Sequence, residues 1–263
     1  MISALTYELR AENPAKLPFI NGRFMHAAFF KIINENSPAL GTFIHSKMNL
    51  KPFTVSFLDP ADKLPSFEER WQVRSDDKFF WRVTGLNAEI LQAAMSVPID
   101  YKIQAGALTL RIENIRVDSC VAVKDFISRI KDYAPVKEIC FNFVSPVSFR
   151  INNFDAPYPR AELIFASLAD KWTQSEMPAA IDKKVIRELA AQIRLKEWEG
   201  RSKKFYFAPD RGLLAFWGKF SYSVEALSDT VQKVFLLLAK FGEFSSVGRL
   251  TGQGFGQTRV EFF

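Results

Sequence analysis

The chain has 263 residues, of which 48% are hydrophobic and 26 are phenylalanine. This composition is typical of a globular protein and excludes a disordered chain, and no apolar stretch is long enough to predict a membrane-spanning helix. The 35 lysines and arginines outnumber the 29 aspartates and glutamates, so the formal net charge is +6. This bias favours polyanionic partners and permits nucleic-acid binding without establishing it.

The N-terminal segment and the cysteines indicate a reducing compartment. The first residues lack the basic segment, the apolar segment and the cleavage site of a secretion signal, so the predicted compartment is the cytoplasm. Cys120 and Cys140 are the only cysteines, and each lies in an apolar, strand-like context. We therefore predict two reduced, largely buried thiols rather than a disulfide.

The first half of the chain predicts a β-α-β-β-α-β order. Apolar residues alternate in the predicted strands and recur at helical spacing in the predicted helices, and Asn87 is a suitable N-cap for the second helix. The predicted strands are 2–10, 53–58, 79–85 and 107–120, the last as one or two strands, and the predicted helices are 22–34 and 87–96.

The second half repeats this order. It predicts a strand-rich stretch over 137–151, helices over 160–174, 182–198 and 228–240, strands over 203–208 and 213–224 joined across the turn PDRG, and a last strand over 257–263. The predicted fold class is therefore α+β, with two tandem ferredoxin-like modules at 1–130 and 131–263. Pro135 and alternating charges place the connection within 123–137.

A glycine-rich segment lies near the C-terminus, in the run VGRLTGQGFGQTRVEF. Four of the 12 glycines fall within nine residues: Gly248, Gly252, Gly254 and Gly256. Such a loop can bring backbone N–H groups close to a phosphate, and Arg249 would add a planar donor. Close packing against a neighbouring element explains the glycines equally well. A dinucleotide-binding motif is excluded, because these glycines follow a helix and lead into a strand.

Five stretches, taken in order, resemble the CRISPR repeat-processing endoribonucleases of the repeat-associated mysterious protein superfamily. The C-terminal run is similar to the glycine-rich loop of that family. NGRFMHAAFFKII with LGTFIHSKMNLKPFTVS resembles its first helix and the loop after it. FNFVSPVSFRI, YPRAELIFASLADKW and LLAFWGKFSYSV resemble the first strand, the first helix and the penultimate strand region of its second module. The resemblance spans nearly the whole chain.

His26 and His45 are the only histidines. Metal-free RNA cleavage needs a base for the 2′-hydroxyl proton and an acid for the leaving 5′-oxygen, and imidazole suits both tasks. Taken alone, a histidine on a helix beside Met25 and Ala27 is more often structural than catalytic. His45 is predicted in the loop after the first helix, where Lys51 could stabilise charge on the phosphate.

The family resemblance implies catalytic roles for His45 and Lys51, and for His26 on the first helix. Some members carry a catalytic tyrosine on that helix, where this chain has Phe29 or Phe30. Either His26 takes that role, which we favour, or the enzyme is slow and relies mainly on His45 and on positioning. The resemblance implies cleavage within CRISPR repeats that leaves a 5′-hydroxyl and a 2′,3′-cyclic phosphate. Which histidine is the acid stays open.

No cofactor and no metal site are predicted. Two histidines and two separated cysteines lack zinc-ligand spacing, and the acidic pairs Asp76-Asp77 and Glu68-Glu69 are expected to be solvated.

The predicted helix 182–198 and the residues after it form the densest basic stretch. Its charges could follow the RNA phosphates or could be the solvated face of an amphipathic helix, and the resemblance favours RNA. The residues are Lys183, Lys184, Arg187, Arg194 and Lys196, followed by Arg201, Lys203 and Lys204. The predicted partners are precursor and mature CRISPR repeat RNA, without a membrane partner. Association with an effector complex and homodimer formation are left open.

Two other functions compete with the endoribonuclease. A non-catalytic RNA-binding subunit of a CRISPR effector complex would share the fold and the glycine-rich loop but would need no acid and base. A metabolic enzyme on the same scaffold would bind a small phosphorylated ligand in a compact anion pocket and would show no basic surface track.

Overall fold

The computed structural model describes residues 1–47, 50–61, 70–208 and 211–263. These residues form two compact units. The first unit comprises Met1–Cys120 and Gly252–Gly254, and the second comprises Val121–Thr251 and Phe255–Phe263. Within the described part of the chain, no helix is long and apolar enough to cross a membrane.

The first unit is built on a twisted sheet whose strand order is β3-β6-β1-β8-β7, with β4 beside β6 and a separate β2-β5 pair. The elements are β1 Ile2–Ala11, β2 Ala15–Pro18, α1 Gly22–Asn36, α2 Pro38–Lys47, β3 Phe53–Val55, β4 Asp59–Pro60, β5 Arg70–Val73, β6 Lys78–Gly85, α3 Ala88–Met95, β7 Lys102–Ala105 and β8 Leu108–Val121. Counted along β1, α1, β3, β6, α3 and β8, the four main strands lie in the order second, third, first, fourth. This is the ferredoxin-like arrangement that the sequence predicts.

Alternation along β1 explains how this unit packs. Leu5, Tyr7 and Leu9 point to one face of the sheet and are fully buried, and the Tyr7 ring lies 5.0 Å from that of Trp81. The Tyr7 hydroxyl donates a hydrogen bond to the Ala94 carbonyl at the end of α3 (2.8 Å). Burial raises the pKa of this tyrosine. Asn87 caps α3 as predicted, accepting from the Ile90 N–H.

The second unit has a four-stranded sheet of order β12-β13-β9-β14, which is the same ferredoxin-like strand order as in the first unit. Its elements are α4 Val123–Lys131, β9 Glu138–Val147, β10 Phe149–Ile151, β11 Phe154–Ala156, α5 Ala161–Gln174, α6 Lys183–Ala190, β12 Arg194–Ala208, β13 Arg211–Ser223, α7 Asp229–Ser245 and β14 Thr258–Phe262. Helices α5 and α7 supply a phenylalanine core, in which the Phe165 ring lies 4.7 Å from Phe235 and 5.7 Å from Phe141.

Several predicted features are corrected. The predicted helix 182–198 ends at Ala190, and Arg194 lies on β12, because the long pairing of β12 with β13 overrides the helix propensity of this charged stretch. A helix, α4, fills part of the predicted connection, whereas the predicted module bounds 1–130 and 131–263 stay a prediction. Both cysteines are free, but only Cys140 is buried, since the C-terminal half of β8 leaves Cys120 exposed. Pro209 and Asp210 of the predicted turn, and the Glu68-Glu69 pair, lie outside the described residues.

Lys171 is a buried lysine of the second unit. It is 5% exposed on α5, and its ammonium donates to the carbonyls of Ser245 (3.2 Å) and Ser246 (2.8 Å) at the C-terminal end of α7. These carbonyls have no helical partner, so the lysine caps the helix. Burial lowers the pKa of Lys171 to about 7, and neighbouring Asp170 opposes this shift.

This buried lysine predicts a pH-dependent stability. The unfolded chain keeps the ordinary lysine pKa of 10.5, so between about pH 7 and that value it binds more protons than the folded protein. The free energy of unfolding should therefore rise with pH in this window, by up to roughly 1.4 kcal/mol per pH unit, and fall as the pH drops toward 7. Denaturant unfolding of wild type and Lys171→Met tests this, with the exposed Lys184→Met as control. Parallel pH curves for all three proteins would refute the assignment.

Candidate active site

Helices α1 and α2 bring the two histidines to the same aromatic side chain. The His26 ring stacks on Phe30 with centroids 6.1 Å apart, and the His45 ring meets Phe30 edge-on at 6.0 Å. His26 also stacks on Phe53 of β3 at 5.5 Å. His45 lies on α2 rather than in a loop, which corrects the predicted position, because the helix begins at Pro38 and continues past it to Lys47.

A cleft of about 450 Å³ contains all three predicted catalytic side chains, His26, His45 and Lys51. The remaining lining residues come from α1, and of these only Phe30 had been considered at the site from the sequence. They are Ala27, Phe30, Lys31, Asn34 and Glu35. Their spacing of three or four residues places them on one helical face, and this spacing is the sequence signal that could have identified them.

A backbone carbonyl determines which nitrogen of His26 carries the proton. His26 Nδ1 lies 2.8 Å from the Gly252 carbonyl oxygen, within the first unit. A carbonyl can only accept, so Nδ1–H donates and, in the neutral ring, Nε2 keeps its lone pair. Burial lowers the pKa of His26, the Gly252 carbonyl opposes this effect, and the charge of Lys51 lowers it further. The net lowering favours the neutral imidazole, which is the form that can act as a base.

Close packing holds Gly252 at this distance. A Cβ atom on Gly22, at the start of α1, would lie 1.8 Å from the Gln253 carbonyl oxygen. Gly254 has φ +89° and its Cβ would lie 2.5 Å from the Phe57 ring. Both positions therefore require glycine, and both fix the segment Gly252–Gly254 within the first unit.

Lys51 is half-buried between the two helices and β3. Its ammonium donates to the Ile44 carbonyl (2.7 Å), one residue before His45. Burial lowers the pKa of Lys51. Phe29 is fully buried, whereas Phe30 lines the cleft. Of the two positions where the family resemblance places a tyrosine, Phe30 is therefore the one at the cleft, and its side chain cannot transfer a proton.

The rest of the glycine-rich loop lies in the second unit and is tightly packed. The N–H groups of Gly248, Arg249 and Gly256 donate to Ser167 Oγ (3.0 Å), the Ser148 carbonyl (3.0 Å) and the Pro146 carbonyl (2.9 Å). These three amides are therefore engaged within the protein, which favours the close-packing explanation for this part of the loop. The Arg249 guanidinium forms an ion pair with Asp155 at 2.8 Å.

The predicted basic surface is divided between two elements of the second unit. Lys183, Lys184 and Arg187 are exposed on α6, where Lys183 lies 3.3 Å from Asp170, and Arg194 is exposed at the start of β12. Asp182 caps α6 by accepting from the Lys184 and Val185 N–H groups. An RNA-binding role for these residues, and for the glycine-rich loop, stays a prediction.

Known proteins match this chain both in sequence and in its tandem ferredoxin-like fold. A family model described as CRISPR-associated endoribonuclease Cas6 matches residues 141–258, and one described as CRISPR Cas6 N-terminal domain matches residues 1–125. The CRISPR-associated endoribonuclease Cas6 of Mycobacterium tuberculosis is 23% identical over 230 residues, which cover 84% of this chain and 72% of that protein.

Solved structures share the fold over the whole chain. The Cas6 (TTHB231) product complex aligns with a TM-score of 0.79 and 21% identity, covering 99% of this chain and 100% of that one. Thermus thermophilus Cas6 (TTHB231) aligns with a TM-score of 0.71 and 20% identity, covering 99% and 98%. This chain therefore shares its fold with these solved structures. With both family models matched, this chain belongs to the Cas6 family of CRISPR-associated endoribonucleases.

Proposed function

We propose that this protein cuts precursor CRISPR RNA within each repeat without a metal ion, producing mature guide RNA. The 2′-oxygen attacks the adjacent phosphorus, the bond from phosphorus to the 5′-oxygen breaks, and the products carry a 2′,3′-cyclic phosphate and a 5′-hydroxyl. The observation that carries the proposal is the shared cleft of His26, His45 and Lys51, in which the Gly252 carbonyl leaves His26 Nε2 as a proton acceptor.

The geometry supports distinct roles for the two histidines. His26 Nε2 accepts the 2′-hydroxyl proton, because its neutral form is favoured and its Nδ1 is already engaged. His45, exposed on α2, donates a proton to the leaving 5′-oxygen. Lys51, beside both, stabilises the charge that develops on the phosphate oxygens. Protons balance, since one leaves the 2′-oxygen and one reaches the 5′-oxygen.

The second module would hold the RNA through the exposed cations of α6, and through the glycine-rich loop once the Arg249 guanidinium exchanges Asp155 for a phosphate. Contacts to phosphates of this kind are independent of sequence and weaken with salt. The proposed compartment is the cytoplasm. A non-catalytic RNA-binding subunit of an effector complex is the alternative function. Size-exclusion chromatography with product RNA measures whether the protein forms a homodimer, and the same measurement with the other subunits present shows whether it stays bound to an effector complex.

The ends of the cleaved repeat test the proposed reaction. The downstream fragment should accept labelled phosphate from polynucleotide kinase without prior phosphatase treatment. The upstream fragment should resist enzymatic 3′ extension until its phosphate is removed. A 5′-phosphate with a free 3′-hydroxyl would instead indicate that water attacks the phosphorus and that the 3′-oxygen leaves. Such products would refute the proposed chemistry.

Substituting Gly22 should disturb the tautomer of His26. In Gly22→Ala the new Cβ displaces Gln253, and with it the Gly252 carbonyl, so the neutral ring loses its preference for Nδ1–H. We expect the imidazole ¹⁵N spectrum, which contains only two histidines, to shift His26 toward the other tautomer. Cleavage should slow by roughly tenfold to a hundredfold.

Arg23→Ala, at the next and exposed position of α1, is the matched control for the spectrum. An unchanged His26 tautomer in a folded Gly22→Ala protein would show that the carbonyl contact does not set the protonation of the ring.

A further inference from the structure

Strand β12 is an edge strand, and its acidic side chains are confined to one of its two faces. It pairs with β13 on one side only, and the register runs without a shift from Glu197 to Tyr206. Alternate residues therefore share a face. Trp198, Lys204 and Tyr206 lie on one face, whereas both acidic residues of the strand, Glu197 and Glu199, lie on the opposite face.

The face with the aromatic residues stays free of acid on the neighbouring strand. The direct partners of its residues on β13 are glycines and apolar side chains: Phe220, Gly218, Phe216, Leu214 and Gly212. An anionic ligand lying along this face would therefore meet Lys204 and no carboxylate from either strand.

The two aromatic rings are unusually exposed for their size. Trp198 is 61% exposed and Tyr206 is 62% exposed. The Trp198 ring lies parallel to the ring of Phe220, with 6.1 Å between their centroids. The Lys204 ammonium lies 5.3 Å from the centre of the Tyr206 ring. The rings are eight residues apart, about 26 Å along an extended strand.

We infer that this face of β12 binds single-stranded RNA, with bases stacked on Trp198 and Tyr206 and a phosphate near Lys204. Exposed rings with a cation between them form a sequence-tolerant surface for single strands, because every base has a face that can stack. The inference rests on the proposed function, in which the substrate is RNA. It adds an aromatic surface to the cations already assigned to RNA. Lysines on an edge strand can also serve only to prevent strand pairing, and then the rings would contribute nothing to binding.

Binding of a short oligouridine tests this directly, because it requires neither the repeat sequence nor cleavage. The Trp198→Ala/Tyr206→Ala variant should bind about fivefold to 150-fold more weakly per lost stacked base, with the same salt dependence as wild type, since no cation is removed. Lys204→Ala should instead reduce the dependence of binding on salt. Phe263→Ala is the control, because Phe263 is equally exposed at 61%.

A conservative variant keeps the test valid if the alanine variant unfolds. Trp198→Phe keeps a stacking ring, so it should bind oligouridine nearly as wild type does while losing most of the RNA-dependent quenching of tryptophan fluorescence. Unchanged quenching in Trp198→Phe, or unchanged oligouridine affinity in the folded alanine variant, would overturn the inference. So would a wild-type dimer that the alanine variant converts to monomer without any change in RNA affinity. Oligouridine binding without repeat cleavage would leave this inference intact and count against the proposed function.

Discussion

The His26→Ala variant is expected to cleave repeat RNA about 10²- to 10⁴-fold more slowly than wild type under single-turnover conditions, with little change in RNA affinity. His26 is the only group in the described cleft whose proton-accepting nitrogen is fixed by a backbone contact, through Nδ1 and the Gly252 carbonyl. Its removal takes away the base but leaves the exposed cations of α6 in place. Single-turnover rates and filter binding on the same RNA measure the two effects separately.

The pH dependence gives this prediction a second readout. Because burial lowers the pKa of His26 below its ordinary value of 6.5, the wild-type rate should rise with pH along an acidic limb whose midpoint lies below that value. The acidic limb should disappear in His26→Ala, whereas His45→Ala should keep it. A His26→Ala enzyme with the full wild-type rate, or with the same acidic limb, would show that another group is the base.

A single 2′-deoxy substitution at the scissile nucleotide is expected to abolish cleavage, because it removes the attacking oxygen itself. The substituted RNA should bind as tightly as the all-ribose repeat, since one hydroxyl contributes little beside many phosphate contacts. A 2′-deoxy substitution one nucleotide away is the matched control and should be cut at close to the normal rate. Cleavage at the deoxy position would require water as the nucleophile and would contradict the proposed chemistry.

Local sequence signals predicted most of the secondary structure. Alternation in β1, helical spacing in α1 and the Asn87 cap each specify their element through short-range chemistry, and all three are found. The prediction failed where a distant strand decides the structure. Residues 194–198 carry helix-forming charged side chains, yet they pair with β13, more than 20 residues later in the chain.

The candidate site was only partly accessible from the sequence. The scarcity of histidine and the family resemblance identified His26, His45 and Lys51, which the structure brings to one cleft. The carbonyl partner of His26 could not be predicted, because Gly252 is 226 residues away and its backbone oxygen carries no sequence signal. The glycine-rich segment was recognised by composition. Which of its glycines packs closely, as Gly254 does, and which contacts the histidine, as Gly252 does, depends on tertiary structure.

Cleavage of a cognate repeat RNA in excess EDTA, by wild type, His26→Ala and His45→Ala, tests the central claim most directly. The account predicts that wild type cuts at an undiminished rate in EDTA, and that each alanine variant binds the RNA but cuts it far more slowly. Wild-type protein that binds the repeat yet cuts it only after a divalent metal is added, or never cuts it, would contradict a metal-independent reaction catalysed by these two histidines.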